Sequence, residues 1–169
     1  GDDPKTAIKP FDAERKGTAG SEGCGVLVLE SLEHALQRGA RIYAEVVGFG
    51  ATEDAYHVTA PEPEASYSSV AIRRAIEDAE LQPQDVDYIS AHATGTQLND
   101  EAETLAIKKA LGDHAYKVAI SGIKSMIGHT AGAAGALAVV GCVKTIETGI
   151  IPPTINYTTP DPKCDLDCV

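Results

Sequence analysis

Three side chains able to hold or move charge stand just beyond two short apolar runs. His92 follows Val86 to Ala91, in His92-Ala93-Thr94-Gly95-Thr96, while Lys124 and His129 follow Lys117 to Ser121, in Lys124-Ser125-Met126-Ile127-Gly128-His129. Both runs read as strands, and in α/β sheets ligands bind beyond the carboxyl ends of the strands. Two imidazoles and a lysine can therefore converge. His129 precedes a helix expected over Thr130 to Thr148, where the positive end of the macrodipole disfavours a second positive charge and keeps an imidazole neutral. A neutral imidazole donates one N–H without titrating, and Lys124 nearby pushes the same way. That suits the group to a developing oxyanion such as an enolate. A plainer reading stands beside it: a helix-start histidine capping backbone, and a lysine in water.

Asp100 and Glu103 also read two ways. An N-cap aspartate with a glutamate three residues on is a capping box. Alternatively the Glu103 carboxylate lies beneath the loops and anchors Lys124. Thr94 and Thr96 can offer hydroxyls to a ligand or shape the turn. Gly128, Gly132 and Gly135 lack the spacing of a phosphate loop, and instead suit a helix pressed close to a sheet. Cys24, Cys142, Cys164 and Cys168 do not make a disulfide framework, and Cys164 with Cys168 is at most half of a zinc site, so no metal is expected. Cys24 opens an apolar run and reads as packing.

The elements that must position these groups follow from periodicity. The opening, residues 1 to 23, is polar and broken by Pro4, Pro10, Gly17, Gly20 and Gly23, which marks a loop. Gly25 to Leu29 reads as a strand buried on both faces, Ser31 to Arg38 as a short helix stopped by Gly39, and Ile42 to Gly50 as a second strand. Ala51 to Ala65 is a long loop, and loops of that length inside a domain are commonly functional. Ser66 to Glu80 and Glu101 to Leu111 carry helical apolar stripes. Alternating strands and helices imply a layered α/β domain on a parallel or mixed sheet, spanning residues 1 to 169 as one unit.

Charge narrows the partners. There are 14 Lys plus Arg against 25 Asp plus Glu, a net charge of −11, with the cations scattered. Nucleic acid needs a concentrated basic face and is not expected. The uncharged stretch Thr130 to Val143 is 14 residues, short for a bilayer. The N-terminal residues have neither the basic start nor the apolar run of a secretory signal, which points to the cytoplasm, or to a plastid or mitochondrial matrix in a eukaryote.

Taken in order, Lys9-Pro10-Phe11-Asp12, Gly25 to Glu30, Asp54-Ala55-Tyr56-His57-Val58-Thr59, His92 to Thr96, Lys124 to His129 with Gly132-Ala133-Ala134-Gly135, and Pro152-Pro153-Thr154-Ile155-Asn156 resemble the C-terminal half of a β-ketoacyl-acyl-carrier-protein synthase. That is the elongating condensing enzyme of type II fatty-acid synthesis. The resemblance covers nearly the whole chain. It implies a thiolase-like α/β/α half-domain, incomplete at both ends, and decarboxylative Claisen condensation of malonyl-acyl carrier protein with an acyl thioester. By resemblance His92 and His129 hold the malonyl thioester carbonyl, Lys124 is the active-site lysine, and Glu103 is the acid that pairs with it. Thr94 and Thr96 match positions that contact the pantetheine arm. The implied partners are acyl carrier protein, an N-terminal half bearing the acylated cysteine, and a second copy in a homodimer. No cofactor is implied beyond the phosphopantetheine that arrives on the carrier.

Departures from the family accompany the match. None of the four cysteines fits the nucleophile motif, the glycine- and phenylalanine-rich closing segment is missing after Val169, and Thr18 to Cys24 differs from the usual Gly/Glu-rich turn. Acylation therefore belongs outside this chain. A chain-length-factor-like or scaffolding subunit, and a polyketide ketosynthase domain, are the alternatives. Docking an acidic carrier on a chain at −11 needs a local basic patch, for which Lys5, Lys9, Arg15 and Lys16, or Arg73 and Arg74, are the candidates.

Overall fold

Parallel pairing of two short strands sets the frame. The computed structural model describes residues 3–169. In it β1 (Tyr88–Ser90) lies beside β2 (Ala119–Ser121), with Tyr88 opposite Ala119, Ile89 opposite Ile120 and Ser90 opposite Ser121. The crossover between them is α3 (Gln97–Leu111), ended by Gly112 at φ 59°, a conformation that costs glycine little. Before it come α1 (Leu32–Gln37), whose N-cap Ser31 accepts the His34 N–H, and α2 (Ser66–Asp78), packed on α3. After it come the single turn α4 (Lys124–Ile127) and α5 (Ala134–Thr148), entered through a 3₁₀ turn at Ala131–Ala133.

The buried core joins α3 to the sheet. Ile107, Ala110 and Leu111 meet Val118, Ile120, Ala93 and Phe11, and Ile76 of α2 closes one side. The C-terminal segment belongs to this core: Cys164 and Leu166 are buried in it. Its backbone runs along β2, with Ile120 donating to Asp167 O and Val169 donating to Ile120 O. Burial pushes the Cys164 thiol up to about 11 and the Cys168 thiol up to about 12.

Two expected strands do not form. Residues 25–29 and 42–50 enter no ladder, and Val26, Val28, Val46 and Phe49 are among the most exposed apolar side chains. A strand satisfies its backbone by pairing, and the described residues place no strand alongside either segment. Cys24, at the head of the first segment, is exposed rather than packed. Both segments instead lie on helices at their glycines. A Cβ on Gly25 would come within 2.7 Å of Ala136 Cβ on α5, and one on Gly50 within 2.0 Å of Ala71 O on α2. The close approaches expected of Gly132 and Gly135 are absent, since both face open space.

α5 carries no fully buried residue. With the preceding turn it forms an 18-residue run, Ala131–Thr148, of mean hydropathy 1.2. By length and composition alone that run is long enough to cross a membrane, contrary to the expectation from its 14-residue uncharged part. Here it packs beside β1 and is tied to the Arg41 segment through Glu147.

Truncating Ile107, 1% exposed, is expected to cost about 2–5 kcal/mol. Val26→Ala, on an uncovered segment, is expected to stay within about 0.5 kcal/mol. Urea midpoints of the two variants check this contrast.

Candidate active site

Because β1 and β2 are parallel neighbours, the loops that leave their carboxyl ends lie side by side. His92 and His129 meet there, ring centroids 5.5 Å apart and planes at 86°. They line a cleft of about 690 Å³ with Thr94, Thr96, Asn99 and Lys16. Thr59, Ala60 and Pro61 of the long loop form part of its wall, as the length of that loop suggested. Asp54 and His57 shape that loop from within. The Asp54 carboxylate accepts the Glu62 N–H, and His57 Nδ1 accepts the Thr59 and Ala60 N–H groups.

His129 precedes the 3₁₀ turn that leads into α5 rather than the helix itself, and it caps backbone there, as the plainer reading expected. Its Nδ1 accepts the Ala131 N–H at 3.1 Å. A nitrogen that accepts carries no proton, which places the ring N–H on Nε2. The His92 ring is kept neutral by its surroundings. The protein around its ring strips water from the charged form, and Lys124 and His129 add like charge, lowering its pKa to about 4.

Lys124 is 4% exposed and donates to the His92 carbonyl at 2.6 Å; it does not point to water. Its own pKa is lowered by burial, against the pull of Glu103 and Asp100. The expected Lys124–Glu103 ion pair is not formed as a contact. Instead the Glu103 carboxylate accepts the N–H groups of His92 at 2.6 Å and Ala93 at 2.8 Å. The two charges thus grip opposite polar ends of one short stretch of backbone, which is bent through Ala93 at φ 43°. Burial raises the Glu103 pKa despite those two donors.

The capping box is also corrected. Helix α3 begins at Gln97, and its N-cap is Thr96, whose hydroxyl accepts the Asn99 N–H at 3.3 Å and lies 3.0 Å from the Thr94 hydroxyl. Asp100 is fully buried within the first turn. It accepts the Phe11 N–H at 2.9 Å and the Gly95 N–H at 3.2 Å, with the Arg15 guanidinium 3.8 Å away. Arg15, a candidate for carrier docking, is 2% exposed and paired with Asp161 and Glu101, so it presents no charge to a partner.

The opening loop ties the two histidine segments together, which its irregular sequence did not signal. Gly17 donates to Gly95 O, and the stretch at Ala19 to Ser21 pairs with His129 through His129 N–H to Ala19 O and Ser21 N–H to His129 O. On the other side, Thr154 Oγ1 accepts the Gly122 N–H, while Ser125 Oγ bonds Gly122 O and the Ile155 N–H. Glycine at 122 is required by proximity, because a Cβ there would lie 2.7 Å from Ala93 Cβ.

Gly122→Ala is expected to push Ala93 off its Glu103 hydrogen bond and to cost about 1–3 kcal/mol by overpacking, read by thermal unfolding. For His92, an NMR titration of the ring should give a midpoint near 4. Since that lies below the ordinary 6.5, the unfolded chain binds the proton first. The stability linked to His92 is then complete above about pH 6.5 and is lost as the pH falls toward 4. Lys124→Met should raise the midpoint only part of the way, because loss of water is the larger cause.

Comparison with known proteins follows the same residues. The family described as beta-ketoacyl synthase, C-terminal domain, matches residues 43–158. The chain is 52% identical over 168 residues to 3-oxoacyl-[acyl-carrier-protein] synthase 2 of Synechocystis, covering 99% of this chain and 40% of that protein. It is 53% identical over 159 residues to nodulation protein E of Rhizobium leguminosarum bv. trifolii, covering 94% and 39%. Among solved structures, the ketosynthase AntDE in complex with its type II polyketide acyl-carrier protein AntF superposes with a TM-score of 0.94 at 46% identity, over 97% of this chain and 40% of that one. The ishigamide ketosynthase/chain length factor superposes at 0.91 and 48% identity, over 96% and 40%. The chain thus spans about two fifths of the length of these relatives, and its fold is that of the ketosynthases. It belongs to the beta-ketoacyl synthase family, of which it carries the C-terminal domain.

Proposed function

We propose that this chain supplies the decarboxylation site of a 3-oxoacyl-[acyl-carrier-protein] synthase, His92, His129 and Lys124 being its working residues. The observation that carries the reading is the hydrogen bond from Ala131 N–H to His129 Nδ1, which leaves Nε2 as that ring's donor, beside a His92 ring whose centroid is 5.5 Å away. Two neutral donors can hold the carbonyl oxygen of a malonyl thioester. As the bond between the α-carbon and the carboxylate breaks, carbon dioxide leaves and its electron pair moves into the thioester, making an enolate whose oxygen both imidazoles stabilise. The enolate carbon then attacks an acyl thioester held on a cysteine outside this chain, and the thiolate departs. Lys124 and Glu103 act here by fixing the His92 backbone.

Thr94 and Thr96, on the same cleft, are assigned to the pantetheine arm of an acyl carrier protein, with the exposed Lys16 at the rim as the docking cation. The exposed apolar segments at 25–29 and 42–50, together with α5, are assigned to contact with the segment that bears the cysteine. The complete enzyme is read as a homodimer. A polyketide substrate is the second reading, favoured by the TM-score of 0.94 to a polyketide ketosynthase.

The test is carbon dioxide release from malonyl-acyl carrier protein by the chain assembled with the cysteine-bearing segment. His92→Ala and His129→Ala are each expected to slow release by about 100-fold or more while leaving cysteine acylation intact. Release unchanged in both variants would remove the decarboxylation role and leave a scaffolding subunit. Comparison of acyl and polyketide primers on the same assembly separates the two pathways.

A further inference from the structure

Asn99 stands at the margin of the cleft in the first turn of α3. Among the described residues it is the one side chain hydrogen-bonded to both carboxylates that hold the His92 loop. Its Nδ2 donates to Asp100 Oδ1 at 3.1 Å and to Glu103 Oε2 at 3.4 Å. These are the oxygens that accept the loop itself: Asp100 Oδ1 takes the Gly95 N–H at 3.2 Å, and Glu103 Oε2 takes the Ala93 N–H at 2.8 Å. The Asn99 backbone N–H is meanwhile fixed on Thr96 Oγ1. One amide therefore sits where two clamps and a helix cap meet.

The chemistry at that point is restrictive. Asp100 and Glu103 are neighbouring carboxylates at the start of one helix; burial holds both above the usual carboxylate range, and the charge of Asp100 adds to that effect on Glu103. The groups facing them are Arg15, 3.8 Å from Asp100, and Lys124, held on the His92 carbonyl. Glu101 on the same helix is spent on Arg15 and Lys163, and His92, His129 and Lys16 lie along the cleft. A further lysine or arginine would add positive charge beside His92, and a carboxylate would add a third negative one. A carboxamide is neutral and carries two N–H donors on one nitrogen, so it can bridge both oxygens without altering the charge.

We propose that Asn99 is a positioning residue for the histidine pair: its amide locks Asp100 and Glu103 in the orientation that holds the N–H groups of His92, Ala93 and Gly95, and so sets His92 against His129. The activity readout rests on the decarboxylation reading above. The orientation readout does not.

Asn99→Asp and Asn99→Ala, made in the chain assembled with the cysteine-bearing segment, test this. The new carboxyl donates a hydrogen bond only when protonated. Asn99→Asp is therefore expected to lose about tenfold or more of the carbon dioxide release rate near pH 8 and to regain most of it near pH 6, a limb the parent lacks. Asn99→Ala should be slow at every pH, with no new limb. In parallel, the ¹H–¹⁵N signals of His92, Ala93 and Gly95 should move in both variants, and should titrate with the new limb in Asn99→Asp. Parent-like signals for those three amides in both variants overturn the proposal, whatever the rates. So does a lowered melting temperature with rate and pH profile unchanged, which would make Asn99 a helix cap alone. If the parent protein releases no carbon dioxide, the decarboxylation reading fails, and the three amide signals alone decide the role of Asn99.

Discussion

The peptide stretch joining His92 to Ala93 is gripped at both polar ends, and the rest of the site is arranged to make that grip tolerable. Glu103 takes two N–H groups and Lys124 takes the His92 carbonyl. A non-glycine residue at φ 43°, as Ala93 is, persists only where its surroundings over-determine it. Charge-assisted hydrogen bonds supply that determination, since they are about twice as strong as neutral ones. The cost is desolvation of three ionisable groups, visible in the raised carboxyls of Asp100 and Glu103 and the lowered ammonium of Lys124. Placing Arg15 near Asp100 and Lys124 between Glu103 and His92 offsets part of that cost. Lys124 thereby acquires a second effect, because its charge helps keep the His92 ring neutral.

The sheet makes the grip possible by bringing two loops into register, and backbone pairing from a distant segment completes it. Residues 17 to 21 bond Gly95 on one side and His129 on the other. Gly128, at φ 76°, lets Ser21 pass close by, and Gly122 lets Ala93 lie against β2's exit. The relative placement of the imidazoles is thus a property of three chain segments. A change in any of them would reach both rings.

What the sequence disclosed about this site follows from the kind of interaction involved. His92, Lys124 and His129 were legible because they are chemically distinctive and follow apolar runs that proved to be adjacent parallel strands. The ordered motifs placed the family. The opening loop was opaque because it works through backbone groups, which any residue carries. The capping box expected of Asp100 and Glu103 does not form because it is a local pattern, whereas Asp100 is committed to Phe11 and Gly95, one of them 89 residues away. The helix itself starts earlier, because Thr96 reaches the Asn99 N–H. Gly25 to Leu29 and Ile42 to Gly50 carry sound strand composition, but composition states only that a segment suits burial. Pairing needs a neighbour, and none is present among the described residues.

That last difference separates two parts of the molecule. The polar network around the histidines is satisfied almost wholly from residues 8–21, 92–103, 122–131 and 154–161. The uncovered apolar segments, residues 26–29 and 46–49, share no hydrogen bond with the histidine loops among the described residues. Covering them would bury apolar area and stabilise the fold at roughly 25 cal/mol for each Å² removed from water. It would add no donor or acceptor to the network that holds His92 and His129. The stability that such cover would add and the geometry of the site therefore rest on different surfaces. The orientation of the two imidazoles is set within this chain, and covering the open apolar surfaces would add stability without altering it.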